Sequence, residues 1–411
     1  MKYSHPLLRT LRSLRGNQRA CVVTEPLWAI PSNLFMPFAS IYMAAVGLND
    51  GQIGFIVSLG LALQLVWGLF SGAITDKYGR RKMMLFFGLL SWTVPCLLWG
   101  TAQCYPYFLA AIFFNSMRQV INNCFSCMIV EDGDTEKLVN IYTILNLIGL
   151  ASGFLSPLAA PCIDRFTLVP TMRVIYLISM LLMTLKFILQ YRLANESRQG
   201  KWRIEECQGK SVLALTFGGF GKAFSALRQP RLLLCVTLGA LLTCYNSVHA
   251  AFWPLFITRA YSVSNSLFSV FPLVASATSI VVYMLITPHI HLRSIRFPLL
   301  AGLGLHVLGL LVLLGCLPWA ALWPVFFSAI CEAFALAVLN PLFESIMSVV
   351  IPMGERARTN SLIFAVIFLI STPVGWAAGS LSQLNCALPM LLNLGVMFAA
   401  IAVALYIVHM L

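Results

Sequence analysis

Two ionisable residues stand where this chain is most apolar. Arg118 follows 35 residues, 83–117, that carry no charge. Glu332 is the only charged residue between Arg296 and Glu344. An Arg at the centre of a membrane helix costs at least about 2.5–3.5 kcal/mol on insertion scales, so such residues are functional candidates by default. Arg118 belongs to a stripe of Asn115, Arg118, Gln119, Asn122 and Ser126. At 100° per residue these five fall within about 100° of one another, so one helix face is polar and is expected to line water. The chemistry of such a face is hydrogen bonding and ion pairing to a polar solute. Arg118 has a second reading, as a structural cation bonded to helix ends. Glu332 has three readings: a switchable partner for Arg118, a carrier of a transported proton, or a structural acid. Asn246 and His249, about one turn apart, and Asn33 and Asn340 are further candidates in apolar surroundings. His249 reads equally well as a packed histidine and as a ligand.

The elements that hold these residues follow from composition. The 411 residues are 59% hydrophobic and only 10% charged, against about 25% charged in a soluble domain. A bilayer as solvent accounts for that deficit. A helix needs about 20 mostly apolar residues to cross the hydrocarbon core. Charge-free runs bounded by polar breaks give twelve such spans, six before a polar linker and six after it. The expected organisation is a cytoplasmic N-terminus 1–25, a six-helix bundle 26–192, a linker 193–230 and a second six-helix bundle 231–411. Span six is the weakest of the set; Lys186, near its end, is expected to snorkel to the headgroups. Glu25, just before span one, is expected at the headgroups as well, with a coupling role as the lesser reading.

The net charge of +13 raises the question of nucleic acid. Its distribution answers it. With the N-terminus in the cytoplasm, 23 of the 27 Lys and Arg fall in cytoplasmic segments and only Arg165, Arg173 and Arg259 outside. That bias orients the chain with both termini inside, and no nucleic-acid partner is needed. The 12 Cys are scattered, and Cys124 with Cys127 reads as small apolar helix residues rather than a metal site. No metal and no cofactor are expected. The linker stretch Ser211 to Leu227 reads either as a short interfacial helix or as a loose connection.

An internal repeat is visible. Phe35-Met36-Pro37-Phe38 in span one matches Phe252-Trp253-Pro254-Leu255 in span seven at an offset of 217, and Asn122 matches Asn340 at 218. Between spans two and three stands Gly72-Ala73-Ile74-Thr75-Asp76-Lys77-Tyr78-Gly79-Arg80-Arg81-Lys82. Gly72 permits close helix approach, Asp76 can accept from a neighbouring helix N-terminus, Gly79 permits a tight turn, and Arg80 and Arg81 can pair with acids. Glu131, heading the acidic run Glu131, Asp132, Asp134 and Glu136, reads either as their partner or as part of a solvated loop.

This loop resembles the G-x-x-x-D-[RK]-x-G-[RK]-[RK] signature of the major facilitator transporters at every defined position. The resemblance implies an all-α membrane protein of twelve transmembrane helices in two pseudo-symmetric six-helix bundles. It further implies alternating access and a latch at Gly72, Asp76, Lys77, Gly79, Arg80 and Arg81 against span eleven. Spans one, four, seven and ten would line the cavity, placing Asn33, Asn115, Arg118, Gln119, Asn122, Asn246, His249, Glu332 and Asn340 on it. Arg118 is similar to the family's R-x-x-x-G element of proton coupling, with Asn122 in place of Gly. Ser152 to Ala160 resembles a degraded antiporter motif. The expectation is therefore a non-enzymatic, monomeric secondary transporter of a small organic solute, proton-coupled, with export slightly favoured. A bacterial plasma membrane is the expected location. An uptake symporter and a transport-inactive sensor on the same fold are the alternatives. Neither a P-loop nor an H-E-x-x-H pattern occurs, which argues against a primary pump and an intramembrane metalloenzyme.

Overall fold

The computed structural model describes residues 6–131, 137–218, 229–286, 296–319, 321–350 and 356–410. No strand occurs among them. Ten helices are long and apolar enough to cross a membrane: Asp50–Tyr78, Arg80–Gly100, Asn140–Phe166, Leu168–Leu193, Leu232–Ala260, Asn265–Leu285, Arg296–Gly315, Trp323–Phe343, Leu362–Leu384 and Leu388–Val408. These correspond to spans two, three and five to twelve. Spans one and four are helical too, but each is interrupted.

The interruptions have local causes. Span one is Pro26–Phe35, a 3-10 turn Met36–Phe38 and Ala39–Ala45. Pro37 lacks the N–H that would serve the Asn33 carbonyl, so the helix cannot continue unchanged through it. Span four breaks between Tyr105–Ser116 and Arg118–Val130. There the turn tightens: Met117 N–H bonds the Phe114 carbonyl at 3.1 Å and Val120 N–H the Met117 carbonyl at 3.0 Å. Span three is continuous but widens into a π turn at Leu89–Thr93. Pro95 leaves the Ser91 carbonyl without its i+4 donor; Asn115 Nδ2 supplies one from span four, at 2.9 Å.

The chain forms two compact units. One comprises 1–35, 66–152 and 172–219; the other comprises 36–65, 153–171 and 220–411. In the first, Gly16–Thr24 and Arg80–Gly88 pack on Arg118–Val130, around fully buried Met84, Phe108, Met128, Tyr176 and Phe187. In the second, span seven packs on spans eleven and twelve, and span nine on span ten, with Tyr245, Phe252, Phe256 and Phe268 fully buried. Large apolar side chains remain exposed on the spans, including Leu181 at 63%, Met284 at 68% and Leu369 at 61%. Such surfaces belong in lipid.

Candidate functional site

Spans seven, nine and ten of the second unit bring an acid, two imidazoles and a phenol together. Pro230–Ala260 presents Tyr245, His249 and Trp253 at four-residue spacing, hence on one face. Trp323–Val350 contributes Glu332 and Arg296–Gly315 contributes His306. The Glu332 carboxylate accepts a hydrogen bond from the Tyr245 hydroxyl. The same oxygen, Oε2, lies 2.7 Å from His306 Nδ1, and Oε1 lies 3.7 Å from His249 Nδ1. The His249 ring is stacked between Tyr245 and Trp253, with centroids 5.6 and 5.4 Å away. Tyr245 and His306 are buried almost completely, whereas the Glu332 side chain keeps 13% exposure. His306 Nε2 and Trp253 Nε1 are buried without a hydrogen-bond partner among the described residues. Asn393 on span twelve fixes the ladder by donating to the Tyr245 carbonyl at 3.3 Å. An acid flanked by imidazoles can exchange a proton within the membrane and hand it between groups that already touch.

In the first unit Glu25 and Lys186 form a buried ion pair, Nζ to Oε2 2.9 Å, with side-chain exposures of 13% and 6%. The ammonium also lies 5.5–5.7 Å from the rings of Trp28, Phe125 and Phe187. This corrects the expectation that both residues reach the headgroups. The face of span six that carries Lys186 turns inward, where an acid and ring faces meet the charge.

The remaining sequence candidates divide. Asn33 is half-buried and bonds the Ala29 and Gly149 carbonyls. Asn115 is buried on the Ser91 carbonyl. Arg118 and Gln119 are half-buried, while Asn122, Asn246 and Asn340 are exposed. His249 and Glu332 are the two that the structure brings together. Tyr245 and His306 were not singled out by sequence reasoning. A lone His in the apolar run around 306 was a signal of the same kind as His249.

The signature loop is held within the first unit. Gly79 has φ +88°, and a Cβ there would stand 2.8 Å from Glu196 Oε2. Glu196 caps span three by accepting from the N–H groups of Arg80 and Arg81, each at 2.9 Å. The acid that serves the start of span three thus stands 120 residues downstream of Asp76. Asp76 instead takes Arg80 Nη2 at 2.8 Å. Arg80 is 3% exposed and also bonds both oxygens of Glu131, which accepts from Ser197 as well. Of its two readings, Glu131 is thus the partner. Arg81 donates to the Tyr191 carbonyl and stacks on its ring. Lys77 lies over the Tyr78 ring. Asp132, Asp134, Glu136 and the second-half loop 287–295 lie outside the described residues.

Span two crosses span eleven within the second unit. A Cβ at Gly54 would stand 2.3 Å from the Gly375 carbonyl and 2.7 Å from Gly379 Cα. This is small-residue packing of the G-x-x-x-G kind. Beside it, Arg259 makes two hydrogen bonds to Asp50, at 2.6 and 2.9 Å, and Ser382 donates to Asp50 at 2.6 Å. In the antiporter-like stretch, a Cβ at Gly153 would stand 2.0 Å from Ser276 Oγ. The small residues there permit close approach.

Among the described residues, ten long apolar helices and two interrupted ones, with ionisable clusters inside them, define a multi-pass membrane protein. The sequence profile of the Major Facilitator Superfamily matches residues 29–375, and the chain belongs to that family. Its fold is similar to that of the nucleoside transporter NupG in a mutant form, at a TM-score of 0.74 and 11% identity over 95% of this chain and 100% of that one. It is similar also to a POT family transporter, at 0.72 and 14% over 97% and 98%. The human organic anion transporter MFSD10 matches at 0.65 and 14% over 98% and 100%. A zebrafish (Danio rerio) major facilitator superfamily domain-containing protein 6-like is 29% identical over 93 residues. That segment is 22% of this chain and spans 17% of the relative.

Proposed function

We propose that this chain is a proton-coupled secondary transporter of a small organic solute, with two six-helix bundles over 26–192 and 231–411 working by alternating access. The observation that carries the proton is the Glu332 carboxylate held by Tyr245, His306 and His249. Inside a membrane, an acid with hydrogen-bonding titratable neighbours is the arrangement of a proton relay. The conformational cycle is supported by span two. Its Gly54 is pressed on span eleven, while a would-be Cβ at Gly72 has no described atom within 4 Å. With both termini cytoplasmic, the Asp50 end faces outside and the signature loop inside. Arg118 is one of the cations of the other half and lines the solute path. The antiport form is favoured by the span-five stretch, whose Gly153 fits directly against span eight. A monomer suffices for the cycle.

The test is reconstitution in liposomes with a solute library and an imposed pH gradient. Wild type is expected to move its solute against its own gradient. Glu332→Gln is expected to lose that driven movement while keeping solute-for-solute exchange. Unchanged driven transport in the variant contradicts the reading. Failure of wild type to move any sugar, nucleoside, peptide, organic ion or drug supports the sensor alternative.

A further inference from the structure

The Glu25–Lys186 pair has no part in the relay, yet it is a full ion pair inside the first unit. Breaking such a pair by removing one partner leaves a charge buried without compensation, while apolar replacement of both is often neutral. Stability alone therefore gives little reason to keep it. Its two members are held unequally. Lys186 sits on a continuous helix, is the more buried of the two, and is flanked by three ring faces that favour a cation. Glu25 lies at the joint between Gly16–Thr24 and Pro26–Phe35, where Pro26 has no N–H to give the ladder. One turn along from Lys186, Gln190 is fully buried, and its Oε1 has no hydrogen-bond partner among the described residues. Its Nε2 is spent on Cys21 Sγ at 3.3 Å.

We propose that Lys186 is the anion-binding residue for the transported solute, and that Glu25 is the placeholder occupying it in this structure. The inference rests on the transporter reading above and names the solute class: an organic carboxylate with an aromatic or apolar body and one hydrogen-bond donor. The carboxylate replaces Glu25 on the ammonium, and Glu25, the more exposed partner, turns to water. The body lies against Trp28 and Phe125, and the donor satisfies Gln190 Oε1. Competition between an internal acid and the solute for one cation keeps the buried ammonium paired in the empty and the loaded states alike.

Purified full-length protein is titrated with indole-3-acetate, 1-naphthaleneacetate and tryptamine, following thermal stability. Indole-3-acetate carries an acid and an N–H donor, 1-naphthaleneacetate lacks the donor, and tryptamine is the cationic counterpart. Wild type is expected to be stabilised by indole-3-acetate, several-fold more weakly by 1-naphthaleneacetate, and not by tryptamine. Glu25→Gln is expected to bind the carboxylates about tenfold more tightly, and Lys186→Arg to retain binding. The double variant Glu25→Gln/Lys186→Gln leaves no unpaired charge, so it keeps the fold; it is expected to lose at least tenfold in carboxylate affinity. Carboxylate binding unchanged in that double variant overturns the proposal. So does tryptamine binding that disappears with Glu25→Gln, and so does wild type that binds no carboxylate. Proton-driven flux that still depends on Glu332 in any of these cases leaves the transporter reading intact and removes only the assignment to Lys186.

Discussion

Span two carries two glycines on one face with opposite surroundings. Gly54 and Gly72 are eighteen residues, about five full turns, apart. At Gly54 the backbone of span eleven comes so close that a methyl group has no room; at Gly72 no described atom fills that volume. The polar contacts differ in the same way. The Gly54 end is closed by Asp50 with Arg259 and Ser382, and by Asn49 with Gln383. The Gly72 end spends its charges on its own surroundings. Arg80 joins Asp76 to Glu131, and the loop gives its backbone donors to Glu196. One continuous helix thus meets span eleven closely at Gly54, while at Gly72 a Cβ would meet no described atom within 4 Å. That is the property expected of an element that packs alternately at its two ends.

Four substitutions sharpen or break this contrast. Gly54→Leu has the largest expected effect. It overfills the crossing at a cost of about 1–3 kcal/mol, so the Asp50 end opens and a cysteine placed at Asn49 is labelled several-fold faster by a membrane-impermeant thiol reagent. Unchanged labelling means the crossing is no closure. Gly79→Ala follows. It places a side chain at positive φ, at about 1–2 kcal/mol, and presses on the Glu196 cap; a thermal melt is expected to fall while the Asn49 reporter stays put. Asp50→Asn is smaller. It keeps the shape but weakens the two Arg259 bonds, with about 1 kcal/mol of loosening at that end, read by the same reporter. Gly72→Ala comes last. In this conformation it meets no described atom and shifts the melt by less than about 0.5 kcal/mol, yet it slows transport if this face must pack in the other state. A melt lowered as far as by Gly54→Leu contradicts the asymmetry.

Much of this was legible in the sequence because it depends on the bilayer. Charge-free runs located the spans, and one loop carried the family signature at Gly72, Asp76 and Gly79. The proline breaks were legible in principle, since Pro95 marks the Ser91 carbonyl as an orphan. The residue that answers it, Asn115, was assigned instead to the water-lining stripe by its angular position. The long-range partners were not legible. Glu25 and Lys186 are 161 positions apart and Arg80 and Glu196 are 116 apart. Which acid meets which base is decided by how apolar helices pack. Tyr245 was missed for a related reason: its ring reads as apolar filling, and only the fold shows its hydroxyl on Glu332. The crossing at Gly54 was invisible because glycine reports close approach but not what approaches.

The most direct measurement is the distance between spin labels at Asn49 and Gln383, across the Asp50 end, at pH 5 and pH 8, in wild type and in Glu332→Gln. Proton-coupled alternating access predicts a short distance that acquires a longer population as pH changes in wild type, and a distribution that no longer responds to pH in the variant. A wild-type distance that is the same at both pH values, or a variant that responds as wild type does, contradicts it.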